Sequence, residues 1–152
     1  MILGKKTMIG ILLVTHGDLG PQFISTGKLI GLSSDEALMA LSIDPSESPE
    51  SAREKIAHSI KQVNRGLGVL ILTDLFGGTP TNLSLTFLEE GKVEVVTGLN
   101  LPMMIKAVNG RTNHDLPSLA KLASEAGKEN IYRAEEVLRH RLSRRNTFEQ
   151  QP

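Results

Sequence analysis

Cysteine is absent from the 152 residues, and so is tryptophan. Without thiols the chain can hold no disulfide, thiolate metal site, cysteine nucleophile or iron–sulfur cluster. Aromatic residues are scarce at 3%, four Phe and one Tyr, which argues against base stacking and against an aromatic cage. An excess of one charge is lacking too: 17 Lys and Arg face 17 Asp and Glu, for a formal net charge of zero. Nucleic-acid binding ordinarily draws on a basic excess, so no nucleic-acid partner is expected. No apolar run approaches the roughly 18 residues of a membrane span. Residues 8–14 are apolar apart from Gly10, but they lack the length and cleavage site of a signal peptide. The expectation is a cytoplasmic protein. At about 150 residues per domain the length implies a single core, large enough to bury about two-thirds of its unfolded surface.

What is present alternates between two patterns. Short aliphatic, often β-branched runs at residues 8–15, 38–43, 69–73 and 93–97 have the length and composition of buried strands. Longer segments with helical spacing separate them. The clearest is residues 49–65, where Ala52, Ile56, Ile60 and Val63, and Leu67 just beyond, recur every three or four positions. Ser48 is placed to cap this helix and Pro49 to start it, and Gly66 and Gly68 to stop it. Further helices are expected at 22–30, 81–88, 102–109 and 116–126. Gly31, Gly91, Gly110 and Gly127 follow their ends, and Asp115 caps the last. Residues 130–132 read as a short edge strand. Alternation of this kind predicts an α/β fold, a mostly parallel sheet with helices on both faces.

The expected organisation is one domain over residues 1–133, then a basic helix and tail over 134–152. Residues 133–145 contain five Arg and two Glu. Ala134, Val137, Leu138 and Leu142 mark an apolar stripe on a terminal helix, and residues 146–152 read as a frayed end. Two readings of the helix stay open. It either packs as a solvated helix on the domain edge or offers a docking surface to an acidic partner or membrane.

In a parallel α/β sheet, chemistry gathers beyond the carboxyl ends of the strands. Three such segments hold the most polar and glycine-rich material in the chain. They are Thr15-His16-Gly17-Asp18, then Asp74 through Asn82, then Gly98-Leu99-Asn100-Leu101-Pro102. His16 ends a strand, and a neutral imidazole there is both a proton carrier and a nucleophile. If the first and third strands pair, Asp74 can accept the Nδ1 proton of His16, fix its tautomer and free Nε2. A strand-end histidine held by an ordinary hydrogen bond is the competing reading. In Gly77-Gly78-Thr79-Pro80 the glycines let backbone approach a ligand, and Thr79 is placed to cap the helix that Pro80 enters. The exposed amides then favour a phosphate; a plain strand-to-helix turn is the alternative. Asn82 and Asn100 are weaker candidate donors, and Asp18, two residues after His16, can ligate, orient or turn the chain, with the turn favoured.

Other features carry less. Gly27-Lys28 resembles a P-loop ending, but Leu29 stands where Ser or Thr is required and no glycine sits five positions before Gly27. No G-x-G-x-x-G follows the first strand. His58, His114 and His140 lie on a helix face, in a loop and in the basic tail, with no metal-ligand spacing. No metal or other cofactor is expected.

Taken together, three segments resemble the IIA component of the mannose family of the bacterial phosphoenolpyruvate-dependent sugar phosphotransferase system. They are Gly10-Ile11-Leu12-Leu13-Val14-Thr15-His16-Gly17, the run Leu72-Thr73-Asp74-Leu75-Phe76-Gly77-Gly78-Thr79-Pro80-Thr81-Asn82, and Thr97-Gly98-Leu99-Asn100-Leu101-Pro102-Met103. The likeness runs in order from about Met8 to about Arg133, and the second segment is the most specific. The resemblance implies a sheet in the order 2-1-3-4 plus a short antiparallel edge strand, exchanged in some members between subunits of a homodimer. It implies His16 as the phosphorylated residue, Asp74 as its hydrogen-bond partner, and Thr79, with Gly77 and Gly78, as the phosphoryl-binding turn.

The implied function is phosphoryl transfer through a phosphohistidine intermediate, from phospho-HPr to a IIB component. Contact with the membrane then comes indirectly through the permease components. Some members carry a fused IIB domain; the short basic tail is too small for one, which implies a stand-alone IIA protein. Two alternatives remain. One is a phosphotransfer subunit for dihydroxyacetone kinase, or a relay ending in regulation. The other is a non-catalytic module that binds a phosphate-bearing ligand.

Overall fold

The computed structural model describes residues 6–148. Along them run β1 (Met8–His16), α1 (Leu19–Leu29), β2 (Leu38–Ile43), α2 (Pro49–Val63) and β3 (Gly66–Thr73). These are followed by α3 (Thr79–Leu85), β4 (Val93–Thr97), α4 (Leu101–Gly110), α5 (Leu116–Glu129) and α6 (Ala134–Phe148). The four strands form one parallel sheet in the order β2-β1-β3-β4, as expected.

β1 lies at the centre, and every residue before His16 is buried. Burial on both faces explains why it reads as one apolar run rather than an alternation. Successive side chains still point to opposite faces. Ile9, Ile11 and Leu13 join Leu70, Leu72, Met104, Leu119 and Ala123 on the side of α1, α4 and α5. Leu12 and Val14 join Val69, Ile71, Ile56 and Val63 on the side of α2 and α3. The sheet is thus clamped between two apolar layers.

Side chains set the helix starts. Ser48 Oγ accepts from the Ser51 amide at 3.1 Å, with Pro49 at the first position, a cap worth about 1 kcal/mol. Asp115 accepts from the Ser118 amide at 2.9 Å. Bonds from the Ser118 side chain and backbone hold its carboxyl below the usual carboxylate pKa.

Several boundaries differ from the sequence expectation, each for a tertiary reason. α1 begins at Leu19, not at residue 22, because the buried Thr15 Oγ1 accepts the Gly20 amide at 2.8 Å and draws the helix onto the end of β1. α3 is shorter than residues 81–88. Its cap is Gly78 without a side-chain bond, so Thr79 is the first helical residue rather than the cap. α5 continues through Gly127 to Glu129. A Cβ on Gly127 would stand 2.8 Å from Met103 Cε, so this glycine permits close packing and does not stop the helix.

That extension leaves residues 131–133 without regular structure, and the expected antiparallel edge strand at 130–132 does not form among the described residues. Ile131 and Tyr132 stay exposed, as do Leu138 and Leu142 of the terminal helix. Among the described residues nothing covers Leu138 and Leu142 of the α6 stripe, while Val137 is half-buried. Residues 146–148 continue α6 rather than fray, and the rest of the expected frayed end lies outside the described residues. No described helix is long and apolar enough to cross a membrane.

Gly10 shows how tightly α2 seats on the sheet. A Cβ there would lie 2.5 Å from the Val63 carbonyl oxygen and 2.8 Å from its carbon, both backbone. Backbone cannot swing aside, so Gly10→Ala is expected to destabilise the fold by about 1–3 kcal/mol. Urea unfolding measures this, and an unchanged midpoint would contradict the close approach.

Candidate functional site

Parallel pairing aligns the carboxyl ends of three strands. Val14 stands opposite Thr73, and Thr73 opposite Thr97. The loops that follow therefore open on one edge of the sheet. His16 and Asp74, 58 residues apart, meet there. Asp74 Oδ2 accepts the His16 backbone amide at 3.0 Å and lies 2.9 Å from His16 Nδ1. A carboxylate only accepts, so Nδ1 carries the proton and in the neutral ring Nε2 keeps its lone pair. The His16 side chain is 43% exposed and that of Asp74 10%. The ring is reachable while its anchor is sealed.

The glycine turn lies against the other side of the ring. A Cβ on Gly78 would fall 2.7 Å from His16 Cε1 and 3.2 Å from Nε2. Only a residue without a side chain leaves the imidazole in place. Gly77 serves differently: its φ of +85° is a left-handed turn that side chains disfavour. The amides of Gly77 and Thr79 donate to no acceptor among the described residues. Nε2, two open amides and the start of α3 thus share one small area, suited to an anion joined to Nε2.

The weaker candidates take structural roles. Asn100 caps α4 through the Met103 amide at 3.0 Å, and its Nδ2 donates to the Gly127 carbonyl at 3.0 Å. Asn82 Nδ2 donates to the Gly77 carbonyl at 3.4 Å, within the turn. Asp18 occupies the cap position of α1 without a side-chain cap bond. Gly27 of the P-loop look-alike is a packing glycine, since a Cβ there would stand 2.9 Å from both Leu32 Cδ2 and Met104 Cε. His58 is exposed on α2, and His114 is exposed between α4 and α5 with Nδ1 3.1 Å from the Gly110 carbonyl oxygen.

Two residues of the 72–82 run, given no role by the sequence alone, brace the site. Thr73 and Thr81 are buried, with their hydroxyl oxygens 2.7 Å apart. Their signal was a hydroxyl at the end of an apolar strand and another in the first turn of the next helix. Asp74 Oδ1 is buried with no hydrogen-bond partner, so the two donors of His16 are the described partners of this carboxylate.

Residues 10–124 match the profile of a family described as the PTS system fructose IIA component. The chain belongs to this family. It is 30% identical over 125 residues to the PTS system mannose-specific EIIAB component of Escherichia coli (strain K12), covering 81% of this chain and 38% of that protein. The chain thus spans well under half the length of that relative. It is 29% identical over 114 residues to the PTS system fructose-specific EIIA component of Bacillus subtilis (strain 168), covering 74% of this chain and 77% of that protein. Among solved structures, phosphotransferase system component EIIA from Streptococcus agalactiae superposes with a TM-score of 0.76 at 28% identity, covering 85% of this chain and 99% of that one. The span matching the IIA family runs from β1 into α5. It contains His16, Asp74 and the 77–79 turn, and leaves out α6.

The backbone at Gly78 is extended, with φ −85° and ψ 167°, so alanine is allowed there and only the imidazole objects. Gly78→Ala is expected to change stability by less than about 1 kcal/mol while displacing the His16 ring. The imidazole ¹⁵N resonances report this, and an unshifted pair would contradict the contact.

Proposed function

We propose that this IIA family protein is a phosphoryl carrier of a sugar phosphotransferase system, loaded on Nε2 of His16 by phospho-HPr and unloaded to a IIB component. One observation carries the reading: Nδ1 is held by Asp74 while Nε2 faces the glycine turn. The Nε2 lone pair attacks phosphorus in line with the donor's N–P bond. That bond breaks, its electron pair returns to the donor imidazole, and a new N–P bond forms on His16. Asp74 accepts from Nδ1–H throughout and stabilises the positive charge on the phosphorylated ring. The amides of the turn at Gly77, Gly78 and Thr79, with the Thr79 hydroxyl beside them, meet the phosphoryl oxygens. Positioning and fixed dipoles are the main tools of such a transfer. The donor is already a high-energy phosphohistidine, so the reading calls for no nucleotide or metal.

The rim of the site favours a protein donor over a small solute. Leu75 and Phe76, directly after Asp74, are 60% and 74% exposed, and Leu19 is exposed beyond His16. Apolar side chains presented around a reactive group suit docking of a protein surface. Ile131, Tyr132, Leu138 and Leu142 form a second uncovered apolar set, which supports a homodimer.

Incubation with phosphoenolpyruvate, enzyme I and HPr, followed by intact mass measurement, tests the reading. Wild type is expected to gain one acid-labile phosphate and His16→Ala none. A phosphate retained by His16→Ala would overturn the site. Asp74→Asn is expected to fold and to slow transfer by roughly ten- to a hundredfold, the loss of one charge-assisted hydrogen bond. A chase with a IIB protein or with dihydroxyacetone kinase identifies the acceptor. Phosphate-ligand binding with no mass gain in wild type would favour the non-catalytic module. Light scattering is expected to give twice the 16.5 kDa chain mass; a monomer would refute the homodimer.

A further inference from the structure

Asp74 must aim one oxygen at His16, yet little holds the carboxylate itself. Oδ2 accepts from the amide and from Nδ1 of His16, and Oδ1 is buried with no partner. No further side chain among the described residues braces it. Its direction therefore depends on the main chain at Asp74. Strand pairing and the Leu99 amide, 3.0 Å from the Thr73 carbonyl, hold the β3 side, and one hydroxyl ties the residues on both sides together. Thr81 Oγ1, from the first turn of α3, donates to the Leu75 carbonyl and lies 2.7 Å from Thr73 Oγ1. The Leu75 carbonyl can only accept, so the Thr81 proton goes there and the Thr73 hydroxyl donates to Thr81. Thr73 and Leu75 are the two neighbours of Asp74. Both hydroxyls are shut away from solvent, Thr73 at 0% and Thr81 at 1% exposure, so water does not readily replace either bond.

We propose that Thr81 is a positioning residue for phosphoryl transfer: its hydroxyl clasps the end of β3 on both sides of Asp74 and so sets the tautomer and aim of His16. The inference rests on the reading of His16 as the phosphorylated group. The clasp also joins the acid to the turn, because α3, which carries Thr81, begins directly after Gly78. One side chain thus links the carboxylate at the Nδ1 edge of the imidazole to the glycine turn beside Cε1 and Nε2.

Three variants of the full chain test it: Thr81→Val, which keeps the shape and removes the hydroxyl; Thr81→Ser, which keeps the hydroxyl; and the double variant Thr73→Val/Thr81→Val, which leaves no buried hydroxyl unpaired. Long-range ¹H–¹⁵N spectra of the His16 ring give the tautomer, and the initial rate from phospho-HPr gives the transfer. Wild type and Thr81→Ser are expected to show the Nδ1–H tautomer and similar rates. Thr81→Val and the double variant are expected to mix tautomers and lose about tenfold in rate, as for one hydrogen bond, with melting curves that remain cooperative. Should Thr81→Val fail to fold, the double variant decides between the outcomes. A pure Nδ1–H tautomer in the valine variants, or a loss in Thr81→Ser as large as in Thr81→Val, would overturn the clasp. If wild type takes no phosphate, the functional reading fails, and the ring spectra still decide whether Thr81 sets the tautomer.

Discussion

A single carboxylate oxygen organises the candidate site. Asp74 Oδ2 receives both the main-chain amide and the ring Nδ1 of His16. Two donors from one residue on one acceptor fix the imidazole in rotation and in tautomer together. The bonds form only because β1 and β3 are parallel neighbours whose ends lie level. A shift of the pairing by one residue would carry Asp74 to the other face of the sheet. The site thus depends on the register of the central strand pair, and the register depends on the apolar layers that bury both faces of β1.

Those layers leave little room for adjustment. Gly10 lets the end of α2 rest on β1, backbone against side-chain-free backbone, while Gly27 and Gly127 leave room for the ends of the Met104 and Met103 side chains. Gly77 acts through its backbone angle instead. The edge carrying His16 therefore rises from a close-packed base, and the imidazole stays half-open to solvent while Asp74 holds its aim. A rigid base under an exposed group suits the phosphoryl transfer proposed for it.

Much of this was legible in the residues. The strands at Leu38–Ile43 and Val93–Thr97 match their expected bounds, because short aliphatic runs between turn signals have few other uses. Ser48 and Asp115 cap as expected, since capping is local chemistry. Helix ends were less legible. Gly127 looks like a stop in sequence and is a packing residue in space. The start of α1 is set by a bond from Thr15 that no helical pattern contains. The terminal stripe of α6 was visible as spacing, but spacing does not say whether anything covers it.

By itself the sequence determined the alternation of strands and helices, the absence of thiol chemistry and the gathering of His16, Asp74 and the glycine turn at strand ends. These follow from local periodicity, composition and the rule that loops after parallel strands share an edge. The bond from Nδ1 to Asp74 was foreseeable on condition that β1 and β3 pair, and the tertiary structure met that condition; it alone decided that Gly78 sits against Nε2 and that Thr81 bridges Thr73 and Leu75. Each is a contact of ångström precision between segments that spacing along the chain cannot bring into register. They appear only once the packed layers hold β1, β3 and α3 in a single arrangement.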